Sequence, residues 1–110
     1  MANSSLLTLV KRLETDVRLA LRRVDVSHFS RGQKEQLSQL NQYLLDARRY
    51  TEAYELSETR QQQIEASRFA KRWLKSAGKN ILSISESSVF SAADVADLSA
   101  QIGQIIAGLK

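Results

Sequence analysis

The 110-residue chain contains no cysteine and no proline, one histidine and four glycines. Without cysteine there is neither a disulfide framework nor a thiolate metal site, and the composition suits a reducing cytosol, so a cytoplasmic location is expected. Without proline, and with glycine confined to positions 32, 78, 103 and 108, no helix breaker falls between residues 33 and 77. The sole histidine, His28, excludes the doubled Glu-x-x-His pattern of di-metal carboxylate bundles. It lies in a short connection, where a loop cap is the ordinary role for it. Glu52 and Glu55 share a helical face but have no metal-ligand company, and no nucleophile motif is present. No catalytic, metal or cofactor-binding residue is therefore nominated, and no enzyme is expected. Long apolar runs are also missing. The stretch from Leu98 to Leu109 is too short to span a bilayer and carries Gln101 and Gln104. The first residues have no basic region and only a brief apolar run, so no signal peptide is expected.

What is present is the ordinary globular mix, 43% apolar and 25% charged, in a chain long enough to bury one core. The expectation is a single helical domain over residues 1–110. Good helix formers dominate, and no repeat is visible. The periodicity predicts an all-α, four-helix bundle-like fold. Helix one, residues 5–24, carries Leu6, Val10, Leu13, Val17, Ala20 and Val24 at alternating spacings of four and three, an a/d seam. Ser4 or Ser5 can cap it. Helix two, residues 31–56, opens on a capping box between Ser30 and Gln33 and carries Leu37, Leu40, Leu44, Ala47 and Tyr54, flanked by Tyr43 and Tyr50. At Thr51, Glu58, Gln61 and Glu65 the seam turns polar, which predicts either a turn near Leu56–Ser57 with Ser57 as the next N-cap, the favoured reading, or one long kinked helix over 31–77 that leaves its core here. Helix three is expected over 58–77, with Gly78 as the residue that ends it. Residues 79–90 break the period yet hold Ile81, Leu82, Ile84, Val89 and Phe90, and read as a crossover lying over the core. The serines at 83, 85, 87 and 88 around Glu86 read as loop and cap chemistry. Helix four, 91–108, starts at Ser91 with Asp94 in capping position. It carries an apolar stripe, Val95, Leu98, Ile102, Ile105 and Leu109, beside a stripe of small residues, Ala93, Ala96, Ala100, Gly103 and Ala107, suited to close helix approach.

Charge is unevenly placed. The net charge is +4, but residues 58–79 hold six cations against two acids, and residues 66–79 hold five cations and no acid. As a helix, Arg68, Lys71, Arg72, Lys75 and Lys79 fall within an arc of about 100°. Such a face can track phosphates, or it can be the solvated side of a helix whose other side is core. Lys75 and Lys79 would also complement the dipole of a helix ending at Gly78. Phe69 and Trp73 point away from the cations and are expected in the core. A second basic group, Arg18, Arg22, Arg23, Arg48 and Arg49, is partly accounted for by local pairs such as Glu14–Arg18 and Arg48–Glu52.

Two functional expectations follow, from different classes. The seam of helix one and the broad apolar arc of helix four suggest a non-enzymatic helical interaction module that self-associates as a homodimer. Its contact residues would include Leu98, Ile102, Ile105, Ile106 and Leu109. The alternative partner is nucleic acid, held at its phosphates by the basic face of helix three without sequence preference. Binding to an anionic membrane surface would require the apolar face of that helix to be free, and is not expected.

Overall fold

A computed structural model describes residues 5–24, 26–85 and 89–109. Four α-helices carry them: α1 (Leu6–Arg22), α2 (Arg31–Glu55), α3 (Arg60–Ser85) and α4 (Ala92–Gly108), with a 3-10 turn at Val26–His28. No strand occurs among the described residues.

The helix starts are written in side-chain chemistry. A helix leaves its first amide N–H groups without internal partners, and short polar side chains supply acceptors. Ser5 Oγ accepts from the Thr8 amide at 3.1 Å. Ser30 and Gln33 form the full reciprocal box, at 3.1 and 2.7 Å. Ser91 Oγ accepts from the Asp94 amide at 3.1 Å. The start of α3 departs from expectation. The Ser57 hydroxyl donates back to the Ala53 carbonyl at 2.6 Å and so ties off α2. Thr59 caps α3 instead, its Oγ1 accepting from the Gln62 amide at 3.1 Å.

The larger correction lies at the other end of α3. The helix does not stop before Gly78 but runs through it to Ser85, so there is no crossover spanning 79–90. Ala66, Ala70, Leu74, Ala77, Ile81 and Ile84 form one stripe at spacings of three and four, and all six are buried. Glycine inside a helix costs about 1 kcal/mol relative to alanine. Burying Ile81 and Ile84 in register returns about 1.5–3 kcal/mol each, so continuation wins. Nothing in the packing requires glycine at this position: a Cβ there would sit 3.7 Å from Ile102 Cδ1, an ordinary contact. Leu82 points outward, 53% exposed, while Val89 and Phe90 are buried against the core. Ser83 is a helical residue that accepts a hydrogen bond from Gln36 Nε2 at 3.1 Å. Ser85 is the last residue of α3, and Glu86, Ser87 and Ser88, the remainder of the serine-rich cluster, lie outside the described residues, as does Ser4.

The helices pack in cyclic order, each antiparallel to its neighbours. Glu55, at the end of α2, accepts from the Leu7 amide at the start of α1. Arg23, which follows α1, pairs with Asp94 at the start of α4 at 3.1 Å. Gln36 and Ser83 join the start of α2 to the end of α3. α2 and α3 share the most extensive contact, a long hairpin on which the shorter α1 and α4 pack. The α2 seam does not fail at Thr51. Threonine is small enough to enter the interface and is fully buried there. Buried Glu14 on α1 takes both Arg18, at 3.7 Å, and Arg48, at 3.6 Å. Arg48 thus bridges α1 and α2 rather than pairing with Glu52.

Placing Gly78 in mid-helix yields a test of sign. Gly78→Ala should raise stability by about 0.5–1 kcal/mol, because alanine is the better helix former and its methyl meets only ordinary contact. A urea-unfolding midpoint that falls instead would mean Gly78 ends the helix in a left-handed conformation.

Candidate nucleic-acid interface

Three arcs divide the surface of α3. One is the buried stripe from Ala66 to Ile84. The second faces α2 and carries Phe69 and Trp73. The third lies opposite the core and holds Arg68, Lys71, Arg72, Lys75 and Lys79, with Lys71 half-buried and the other four exposed. Helical rise sets about 16 Å between Arg68 and Lys79. Together with Ile64, Ser67 and Ser76 these cations line a shallow, open groove of about 610 Å³ between side chains of α3 alone. All five residues nominated from the sequence are therefore brought together in one place.

Their clustering on one arc without an acid sets them apart; Lys11, Arg22, Lys34 and Arg60 also lack a carboxylate within 4.0 Å among the described residues, but they are scattered over the fold. Arg12, Arg18, Arg23, Arg31, Arg48 and Arg49 each have a carboxylate partner within 4.0 Å. None of the five groove cations has such a partner among the described residues. They instead face one another, with Arg68–Arg72, Lys71–Lys75 and Lys75–Lys79 at the four-residue spacing where like charges destabilise a helix by a few tenths of a kcal/mol each. The dipole explanation for Lys75 and Lys79 also falls away. α3 ends at Ser85, and the dipole acts only within the last turn. The second basic group makes no contribution to the groove. Arg18 and Arg48 converge on Glu14, Arg23 on Asp94 and Arg49 on Asp46.

The aromatic side chains correct a second expectation. Trp73 is half-buried, packs against the core and stacks on Tyr43, with ring centroids 5.8 Å apart. Phe69 does not join the core. It is 39% exposed and stacks on Tyr50, with centroids 5.1 Å apart and planes 26° apart. The Arg72 guanidinium sits 5.9 Å from the Trp73 ring centroid, linking the cationic arc to the aromatic seam. Helical angle alone placed Phe69 in the core, on the side away from the cations. The approach of α2 decides the matter, and single-helix geometry does not contain it.

The residues nominated for self-association are placed differently. Leu98, Ile102, Ile105 and Leu109 are buried within the chain, and Ile106 is half-buried against the same core. They pack within the chain, so the large apolar side chains of α4 are taken up by its own core. The small-residue stripe is also inverted: Ala93, Ala96, Ala100, Gly103 and Ala107 are exposed on the outer side of α4.

His28 lies exposed in the 3-10 turn. Among the described residues no group of three His, Cys, Asp or Glu side chains is placed to hold a metal ion. No described helix is long and apolar enough to cross a membrane. Comparison of the chain with protein-family models, with curated proteins and with solved structures finds no match.

Crowded like charges imply a residue choice not made for stability. Lys75→Glu converts two repulsive four-residue pairs into attractive ones and should stabilise the fold by about 0.5 kcal/mol. Thermal unfolding followed by circular dichroism measures this. A lower melting temperature would show that Lys75 supports the structure.

Proposed function

We propose that the protein is a non-enzymatic helical interaction module whose partner is nucleic acid, bound at its phosphates by the α3 groove. The observation that carries this reading is the set of five unpaired cations on one open face, kept together against their mutual repulsion. Phosphates would supply the missing counter-charge. Arg68 and Arg72 can grip phosphate oxygens in a fork, while the three lysines act as point charges. Contacts of this kind set position and affinity but carry no sequence information. The non-enzymatic part rests on the side-chain inventory, with no cysteine and one histidine in the chain. A cytoplasmic setting, where nucleic acid is at hand, belongs to the same reading. An anionic bilayer is disfavoured as partner, because Ala70, Leu74 and Ala77, the apolar face it would take up, are fully buried.

Self-association is the second reading, and the exposed small-residue face of α4 is what favours it. Alanine and glycine at spacings of three and four allow another helix to come close. A dimer of this kind would use Ala96, Ala100 and Gly103, not the leucines and isoleucines of the same helix. Light scattering after size exclusion at tens of micromolar separates the readings. The α3 reading expects the 12.4 kDa monomer. A dimer that Ala100→Glu dissolves would establish the second.

Binding to a fluorescent oligonucleotide should weaken steeply with salt. With all five cations engaged, the log–log slope is about −3.5 for a single strand and about −4.5 for a duplex, or roughly 100- to 500-fold between 50 and 200 mM. The double change Arg72→Glu/Lys75→Glu should cost at least about tenfold on every sequence alike, since it removes two phosphate contacts and adds repulsion. Unchanged affinity in that variant would remove the groove from consideration.

A further inference from the structure

Phe69 is the one aromatic side chain with a large solvent-exposed fraction, 39%, and it borders the cation track. Exposing that much of a phenyl ring forgoes burial that a residue on this seam is positioned to gain. Farther along the same seam, beyond Tyr43, the outer positions are polar or charged: Ser76, Lys79, Asn80 and Ser83 on α3, with Gln36 and Gln39 across from them. The two aromatic residues of α3, Phe69 and Trp73, thus both lie in the segment that carries Arg68, Lys71, Arg72 and Lys75. Tyr50 stacks on the Phe69 ring with centroids 5.1 Å apart and so backs one side of it. Phe69 also lies three residues before Arg72, at the spacing where helical side chains are neighbours.

We infer that the nucleic acid of the α3 groove is single-stranded, with Phe69 the residue on which a base stacks while Arg68, Arg72 and Lys75 hold the neighbouring phosphates. This rests on the phosphate-binding reading above and adds the strand form and the stacking residue. Bases in a duplex are stacked on one another and offer no free face at the surface. Bases of a single strand do, and an aromatic ring beside a cationic track takes them regardless of sequence. Arg72 is placed to serve both parts, since its guanidinium reaches toward the aromatic seam from the phosphate side.

The test compares a single-stranded 20-mer with the duplex of the same length by fluorescence anisotropy at matched salt. The protein should favour the single strand by about tenfold. Phe69→Leu, which keeps an apolar side chain on the seam but removes the stacking face, should lower single-strand affinity about tenfold, within the range seen when a stacking aromatic is removed. It should change duplex affinity less than about twofold, because it touches no phosphate contact. Phe69→Trp should restore single-strand binding. Circular dichroism melts of both variants check that the fold is intact. Equal affinity for the two strand forms, or a Phe69→Leu variant that binds the single strand as tightly as the parent, would overturn the inference and leave the phosphate reading standing. Absence of binding to either strand form by the intact protein, including capture by anionic lipid vesicles alone, would overturn both.

Discussion

Everything the molecule presents to solvent depends on burial of the six-residue stripe on α3. Four of its members are Ala66, Ala70, Leu74 and Ala77, and three of those four are alanines. Small side chains let α2 lie close along α3, and close approach fixes the rotation of α3 about its own axis. Once that rotation is set, the opposite arc has no alternative to water. The cations are aligned because the alanines are. A bulkier residue in the stripe would push α2 away and turn α3, and the linear charge track would be lost before any cation was altered.

The fold treats its charges in two ways. On α1 and α2 every arginine but Arg22 is matched with an acid, and several polar contacts reach between helices: Arg48 of α2 on Glu14 of α1, Arg23 on Asp94 of α4, and Gln101 of α4 donating to Asp16 of α1 at 2.7 Å. These contacts hold the shorter helices in register with one another and with α2. Exposed pairs of this kind contribute little to stability individually, but they fix which helix faces which. On the outer arc of α3 the same chemistry is withheld. A surface that evolved only for solubility would mix signs there as it does elsewhere.

Much of the architecture was legible in the sequence because it is set by local signals. Ser5, Ser30 and Ser91 mark helix starts through hydrogen bonds made within three residues, and the seams of α1 and α4 follow from periodicity alone. Gly78 misled because its local preference is weak beside the non-local burial of Ile81 and Ile84, which continue a stripe begun at Ala66. The basic groove was also legible, since its five members share one helical face whatever that helix packs against. The exposure of Phe69 and the interior placement of Leu98, Ile102, Ile105 and Leu109 were not. Both depend on which neighbour covers which arc, a question between helices that no single helix answers. Arg48 shows the same limit, having a possible partner four residues away and a realised one on another helix.

Trp73 is the only tryptophan in the chain, and its position gives it an additional role. Stacked on Tyr43 and approached by the Arg72 guanidinium, it sits between the interior and the cationic groove. All indole fluorescence from this protein therefore originates at the seam between α2 and α3, one residue from the charge track and one helical turn from Phe69. The molecule carries a native optical probe at its candidate interface, with no competing indole to obscure the signal and no label required to read it.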